Sequence, residues 1–346
     1  MKRIPIAVCL TDTHLNENNL EINKSIFRQA TDIAKSMGFN TIHHLADIFD
    51  SRKAQTQKVL SEGFFDILNE LTEQEMRLVT FAGNHDKTSY ASHRSFLDPY
   101  THHPAFWFTQ IGALATSTLE HNIFVLPYYS DEEYIIELDK LKKQIDKKKK
   151  NILFTHIGVN GAVMNNGTVV ASSVTPASFK GFDAVYIGHY HDAQSITTKI
   201  HYIGASIQHN FGEQVDKGLT VIYDDLSWET IPLDFPRYIK KEIDVTKLDL
   251  KEVAKLKEEH KDDQVRIVLT GKKEDLNSFN TQQLTDLGVR FAKKQDVIDE
   301  EELTSRVEPF NSASLTDAFK NFCREKKLAH KDGLKYFNQI KFKSHV

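Results

Sequence analysis

The stretch that decides the fold is Thr80-Phe81-Ala82-Gly83-Asn84-His85-Asp86. It ends an apolar run, Leu78 to Ala82, which is typical of a buried strand that stops at a glycine. Three polar residues then follow together at the carboxyl end of the strand, where open α/β sheets build their sites. Asn84 offers an amide oxygen, His85 an imidazole, and Asp86 a carboxylate that can brace either one. An ordinary surface loop can hold the same residues, so the choice between a functional site and a loop depends on the rest of the chain.

The composition of the 346 residues is that of a globular protein, with 40% hydrophobic and 10% aromatic residues to fill its cores. No window approaches the ~18 consecutive apolar residues of a membrane-spanning helix. The N-terminus leads directly into a strand and leaves no room for a signal peptide. Cys9 and Cys323 are far apart in sequence and favour structural thiols in a reducing compartment. We therefore expect a cytoplasmic protein without a membrane anchor.

The net charge of -4 argues against a protein that binds nucleic acid by charge alone. The charge is uneven, because Arg237–Val346 holds 23 Lys and Arg against 20 Asp and Glu, and the preceding residues hold 21 against 28. Bound metal cations would neutralise part of the acidity of the first part. The last residues, from Ala313, are the most basic, with 8 against 3. Such a tail suits nucleic acid or an acidic partner, although solvated helix faces give the same count.

Strands and amphipathic helices alternate at the start of the chain, which predicts a parallel or mixed sheet with helices on its faces. The strands are Ile4–Leu10, Thr41–Leu45 and Leu78–Ala82, and the helices are Glu21–Met37 and Lys53–Leu71. A capping box of Ser130 and Glu133 predicts a further helix as far as about Lys149. Later apolar runs predict the strands Asn122–Leu126, Ile152–Thr155, Ala184–Ile187, Lys199–Ile203 and Leu219–Tyr223. The strand-rich later half indicates two sheets packed face to face.

A composition shift at Asp234-Phe235-Pro236-Arg237 predicts a domain boundary, with residues 1–236, 237–305 and 306–346 as the three parts. The middle part has the pattern of a small α/β unit, with helices near Leu250–Glu259 and Asp275–Leu287 and strands at Val265–Leu269 and Val289–Ala292. An acidic linker, residues 299–302, precedes two predicted C-terminal helices, Ser314–Glu325 and His330–Ile340.

Five polar clusters recur, each directly after a predicted apolar strand. They are Asp12-x-His14, Asp47-x-x-Asp50, Asn84-His85-Asp86, His156, and Gly188-His189-Tyr190-His191. One such cluster is more often a cap or a solvated loop, but five in this arrangement rarely arise by chance. Carboxylate, imidazole and amide ligands suit Mn, Fe or Zn, and the absence of cysteine disfavours a structural zinc site. The clusters therefore predict a dinuclear metal centre on a sheet edge.

This motif series resembles that of the calcineurin-like metallophosphoesterases. Within them the chain is most similar to the SbcD-like nucleases of phages and bacteria, through Asp47–Lys53, Tyr202–Ser206 and Phe211-Gly212-Glu213. The resemblance is good from residue 4 to about 236 and thin beyond. It implies a four-layer sandwich of two packed mixed β-sheets flanked by helices, a small α/β capping domain and C-terminal helices. Ala46 departs from the pattern, because most of the superfamily has glycine there.

Carried over residue by residue, the resemblance implies two divalent cations, Mn first, with Mg, Fe or Zn as alternatives. One cation would be held by Asp12, His14, Asp47 and His191, and the other by Asp47, Asn84, His156 and His189. Asp47 would bridge them, and a shared hydroxide would attack the phosphodiester. His85 would stabilise or protonate the leaving oxygen, and the carboxylate of Asp50 would orient its ring. His209 is expected at the surface, although it could line the substrate groove.

The resemblance implies a DNA nuclease that is an exonuclease on duplex ends and an endonuclease on single strands. It implies action in repair and recombination with an SbcC-like coiled-coil ATPase, homodimerisation, and the cytoplasm of a bacterial cell or phage-infected host. A small-molecule phosphodiesterase or a protein phosphatase is the alternative. Phosphoprotein phosphatases of this type, however, have Asp-Arg-Gly and Gly-Asn-His-Glu where this chain has Asp50-Ser51-Arg52 and Gly83-Asn84-His85-Asp86. A non-catalytic scaffold is disfavoured, because all seven ligands and His85 are present.

Overall fold

A computed structural model describes residues 3–90 and 92–295. The acidic linker, the two C-terminal helices of the predicted part 306–346 and Cys323 lie outside the described residues. None of the helices in the described residues has the length together with the hydropathy that a membrane span requires.

Six strands form the first sheet: β1 Pro5–Leu10, β2 Thr41–His44, β3 Arg77–Phe81, β4 Phe106–Thr109, β11 Gly218–Tyr223 and β12 Trp228–Pro232. Their order is β12-β11-β1-β2-β3-β4. Strands β1 to β4 run parallel, and β11 pairs antiparallel with both β1 and β12. The strands that were predicted from buried apolar runs are confirmed, whereas β4 and β12 were not predicted.

The second sheet also has six strands: β5 Ala113–Ser117, β6 His121–Leu126, β7 Lys150–Thr155, β8 Ala184–Ile187, β9 Gln194–Ser195 and β10 Ile200–Tyr202. Their order is β5-β6-β7-β8-β10-β9. The four central strands are parallel and were predicted, while the antiparallel edge strands β5 and β9 were not.

Helices cover the outer faces of the two sheets. They are α1 Leu20–Ser36, a π-helical turn Val59–Phe65 that continues into α2 Asp66–Glu73, and α3 Asp131–Lys142. Because strand side chains alternate, Cys9 of β1 joins the core between the sheets, while Val8 and Leu10 join the core under α1 and α2. On the other outer face, Tyr134 and Leu138 of α3 pack against the second sheet. The predicted four-layer sandwich of two mixed sheets between helices is confirmed.

A third, smaller sheet has the order β13-β14-β15, with β13 Tyr238–Asp244, β14 Gln264–Gly271 and β15 Arg290–Gln295. Helices α4 Leu250–Glu259, α5 Lys273–Ser278 and α6 Gln282–Asp286 lie between these strands in sequence. The chain divides into two compact units. The larger contains both six-stranded sheets and residues 249–268 and 281–292, and the other contains residues 243–248 and 269–280. The boundary after residue 236 stays a prediction.

Three helix predictions were wrong in extent. The helix that was predicted at Lys53–Leu71 begins only with the turn Val59–Phe65 and ends at Glu73. Helix α3 ends at Lys142 and not near Lys149, and Ser130 makes no side-chain cap bond. Its buried stripe ends at Leu141, and the lysine-rich continuation has too little apolar surface to pack a further turn, which is what stabilises most helices. The predicted helix Asp275–Leu287 is divided, because Phe279 is extended between α5 and α6.

Candidate metal centre

The predicted ligands all lie at the carboxyl ends of strands, where the chain turns sharply. Asp12 and His14 follow β1, and the others follow β2, β3, β7 and β8: Asp47, Asn84, His156, His189 and His191. Four of these residues have positive φ angles, which are 50° at Asp12, 43° at His14, 52° at Asp47 and 90° at His189. A positive φ at a non-glycine residue costs about 1–3 kcal/mol of folding free energy. It persists where contacts with the surrounding structure hold the backbone in place. Ala46, in the position of the superfamily's glycine, also has a positive φ of 72°.

One group of converging ligand atoms lies around His156. Its Nδ1 is 2.9 Å from the Leu45 carbonyl oxygen, which can only accept, so Nδ1 carries a proton and Nε2 points into the site. Nε2 lies 3.1 Å from both Asp47 Oδ2 and Asn84 Oδ1. A ring nitrogen of His189 belongs to the same group, with all donor atoms of Asp47, His156 and His189 within 4.8 Å of one another.

A second group lies beside the first and shares Asp47. His14 Nε2 and His191 Nε2 are 3.1 Å apart. The same His14 atom is 3.8 Å from Asp12 Oδ1 and 3.9 Å from Asp47 Oδ2, and His191 Nε2 is 3.9 Å from Asp12 Oδ1. Asp47 Oδ2 therefore faces histidines of both groups, which is the position of a bridging carboxylate.

The electrostatics of the two groups suit cations. Burial opposes the charged form of His156, but the carboxylates of Asp47 and Asp12 outweigh it and raise the pKa of His156 to about 9. Burial also opposes ionisation of Asp47, yet His156 and His14 hold the pKa of Asp47 below its usual range. The site thus attracts a positive charge between its acceptor atoms. Two carboxylates, one amide oxygen and four imidazoles, without a thiolate, are a donor set that fits two divalent ions such as Mn, Fe or Zn.

Asp86 holds the loops around Asp47 together. Its Oδ2 accepts the backbone N–H groups of Asp47 and Gly83, both at 2.9 Å, and its Oδ1 accepts that of Phe49 at 3.0 Å. Burial, and then the charge of Asp47, raises the pKa of Asp86 to about 7. The sequence suggested that the carboxylate of Asp86 braces Asn84 or His85. In the structure it instead binds backbone N–H groups of the loops.

Two glycines allow the loops to approach each other closely. A Cβ atom on Gly83 would lie 2.1 Å from Asp47 Oδ1 and 2.7 Å from the Asp47 nitrogen. A Cβ atom on Gly188 would lie 2.3 Å from Thr11 Oγ1 and 2.5 Å from the Leu45 carbonyl oxygen. Any larger residue at either position would displace the ligands that follow.

His85 lies at the rim of the two groups. Its backbone N–H donates to Asp47 Oδ1 at 2.8 Å, and its Nδ1 donates to the backbone carbonyl of Asp50 at 2.5 Å. Nε2 lies 3.3 Å from Nη2 of Arg52, and Nη1 of the same arginine donates to the Tyr90 hydroxyl. The geometry differs from the prediction for Asp50, because the carbonyl and not the carboxylate orients His85. The carboxylate instead lies 3.8 Å from His14 Nδ1.

Glu213 is a site residue that the sequence analysis did not single out. Its Oε1 accepts a hydrogen bond from His191 Nδ1 at 2.8 Å, and its Oε2 lies 3.7 Å from Nζ of the buried Lys217. The bond fixes the ring of His191 with Nε2 directed at the second group. Burial opposes the charge of His191, but Glu213 and Asp12 raise its pKa. The Phe211-Gly212-Glu213 segment was the only sequence signal for this residue.

The expectation that His209 lies at the surface was wrong. Its ring centroid lies 4.8 Å from that of His14 and 4.9 Å from that of His191, and its Nε2 donates to the Asp12 carbonyl at 2.7 Å. Nothing local in the sequence identifies it, because the contact with Asp12 spans 197 residues.

A cleft of about 510 Å³ opens over both groups. The segment after His156 contributes Met164, Asn165 and Asn166 to its lining. The other lining residues are His14, Asp47, Asp50, Arg52, Asn84, His85, His189, Tyr190, His191, His209 and Asn210. Among these described lining residues, Arg52 is the one arginine or lysine, so it is the fixed positive charge of the cleft.

Comparison with known proteins identifies the family. The family model described as calcineurin-like phosphoesterase matches residues 5–193, which is more than half of the chain and includes all seven predicted ligands. No curated protein matches the chain. Among solved structures, that of the calcineurin-like phosphoesterase YfkN from Bacillus subtilis is similar over 67% of this chain and 89% of its own, with 11% identity and a TM-score of 0.38. This chain belongs to the calcineurin-like phosphoesterase family.

Proposed function

We propose that this chain is a Mn-dependent DNA nuclease of the SbcD-like branch, with exonuclease activity on duplex ends and endonuclease activity on single strands. The family membership and the converging ligands support metal-dependent hydrolysis of a phosphoester. We propose three assignments that go beyond the family: the SbcD-like branch, Mn²⁺ as the metal, and DNA as the substrate.

The observation that carries it is the position of Tyr202–Ser206 and Phe211-Gly212-Glu213, the two segments whose sequences resemble the SbcD-like branch. Ser206 Oγ accepts the Thr11 N–H, and the Ala205 N–H donates to the His191 carbonyl, both at 2.9 Å. Glu213 binds His191 Nδ1. The branch-like residues therefore contact the predicted metal ligands and their neighbours, which supports the assignment to this branch.

The chain's own residues suit phosphodiester cleavage. Two divalent cations, when bound, would supply Lewis-acid activation of water and charge neutralisation at the phosphate. Because Nδ1 of His85 donates to the Asp50 carbonyl, Nε2 is the ring atom that can hold a proton and release it to a leaving oxygen. Arg52, beside that nitrogen, offers a planar guanidinium to a phosphate group.

The proposal includes partners and a further domain. Residues 237–305 would cap the site and shape the access of DNA, and residues 306–346 would bind an SbcC-like coiled-coil ATPase. The chain would act as a homodimer in repair and recombination in the cytoplasm. The excess of basic residues after position 313 supports a tail that meets DNA or an acidic partner. The acidic first part would repel DNA unless cations are bound, so DNA binding should depend on the metal.

The test is incubation of the purified protein with Mn²⁺ and labelled duplex or single-stranded DNA. His85→Gln should retain Mn²⁺ binding and lose DNA cleavage, while a control variant of the exposed His102, His102→Gln, should cleave like the wild type. DNA that stays intact in every condition, including with an added ATPase partner, would contradict the nuclease. Cleavage of p-nitrophenyl phosphate without cleavage of DNA would favour the small-molecule phosphodiesterase or the protein phosphatase instead.

A further inference from the structure

A third imidazole lies beside the second ligand group. One ring nitrogen of each of His14, His191 and His209 lies within 4.8 Å of the other two. His209 is absent from the ligand set that the family resemblance implies, and its role is open.

The hydrogen bonds of His209 determine which ring nitrogen is free. Nε2 lies 2.7 Å from the Asp12 carbonyl oxygen, and a carbonyl can only accept, so Nε2 carries the proton of the neutral ring. Nδ1 then has a lone pair, and no hydrogen-bond donor from the described part of the chain is recorded at that atom. The same reasoning leaves a lone pair on Nε2 of His191, because its Nδ1 donates to Glu213.

One buried carboxylate positions two of the three histidines. Glu213 is 6% exposed, and its Oε1 accepts from His191 Nδ1 at 2.8 Å while its Oε2 accepts the backbone N–H of His209 at 3.0 Å. A carboxylate that accepts from the outer ring nitrogen, as Glu213 does from His191, is a usual support of a histidine that binds metal.

We propose that His209, through Nδ1, is an additional ligand of the cation held by Asp12, His14 and His191. A third imidazole makes this position richer in nitrogen than the inherited ligand set. Imidazole suits Zn, Cu, Fe and Ni, whereas Mg and Mn prefer oxygen ligands. His209 would therefore bias this position toward Zn, Cu, Fe or Ni and against Mg²⁺. The inference rests on the metal centre and does not depend on the DNA substrate.

The test uses His209→Gln, whose side-chain amide can still donate to the Asp12 carbonyl but lacks the Nδ1 lone pair. Metal-free protein is titrated with Mn²⁺ by calorimetry and with Co²⁺ by visible absorption, which reports the coordination number. The variant should bind one of two cations roughly tenfold or more weakly, and its Co²⁺ spectrum should change. The matched control, His102→Gln, should behave like the wild type. Unchanged affinities and an unchanged Co²⁺ spectrum in His209→Gln would overturn the proposal.

A measurement on the wild type covers the case in which the variant does not fold. The ¹⁵N resonance of His209 Nδ1 should shift on Zn²⁺ loading, as that of a metal-bound imidazole nitrogen does. A resonance that stays at its metal-free position would overturn the proposal. Neither measurement reads nuclease activity, so failure of this inference and failure of the proposed function are distinguishable.

Discussion

Gly83 is not a predicted metal ligand, but its replacement by alanine should strongly weaken metal binding at the centre. The new Cβ would lie 2.1 Å from Asp47 Oδ1, whereas ordinary contacts begin at 3.4 Å. Relief of the overlap takes a shift of roughly 1 Å, several times the ~0.2 Å tolerance of metal–ligand distances. Such overpacking costs about 1–3 kcal/mol of folding free energy. Because Asp47 faces both ligand groups, we expect both cations to bind roughly tenfold to a hundredfold more weakly.

The assay is a calorimetric Mn²⁺ titration of metal-free Gly83→Ala, with urea unfolding to measure its stability. Gly63→Ala is the matched control, because the atoms nearest its new Cβ belong to the side chains of Leu20 and Leu15, at 3.0 and 3.1 Å, and not to a predicted ligand. The control should bind Mn²⁺ like the wild type. Two Mn²⁺ ions bound by Gly83→Ala with wild-type affinities would refute the reasoning that the close approach of Gly83 places Asp47.

Three further predictions concern single side chains. Burial lowers the pKa of His43 from 6.5 to about 4, so its folded form resists protonation; as the pH drops from 6.5 to 4, urea unfolding should show that the wild type loses on the order of 3 kcal/mol more stability than His43→Leu. Glu213→Gln weakens the support of His191, and Mn²⁺ calorimetry should show roughly tenfold weaker binding of one cation. Arg52→Ala removes the fixed cation of the cleft. In a His85→Gln background, single-stranded DNA should bind more weakly, and the slope of log K against log salt concentration should be less steep by about 0.7.

The strands that place the ligands were predictable because they are buried on both faces. Central strands such as β3 and β7 are nearly continuous apolar runs, and each stops directly before a polar cluster. Parallel strands bring their carboxyl ends to one edge, so the clusters could be expected to meet. Strands β5 and β12 were missed because they are half-exposed and their sequences alternate weakly.

The parts of the site that escaped prediction depend on backbone geometry or on long-range contacts. The orienting group of His85 is a carbonyl, and a backbone atom has no signature in the residue types. His209 meets Asp12 only after the chain has crossed both sheets, so no spacing rule brings them together. Asp86 was recognised as a brace from its place beside Asn84, but its partners are the N–H groups of loops that only the fold assembles.

The most direct test of the metal centre is hydrolysis of bis-p-nitrophenyl phosphate by metal-free protein to which Mn²⁺ is added back. Asp47→Asn keeps the shape of the bridging side chain and removes its charge. The wild type should hydrolyse the ester only with Mn²⁺, and Asp47→Asn should show no turnover above the metal-free level. Equal turnover with and without Mn²⁺, or wild-type turnover by Asp47→Asn, would contradict a dinuclear centre built around Asp47.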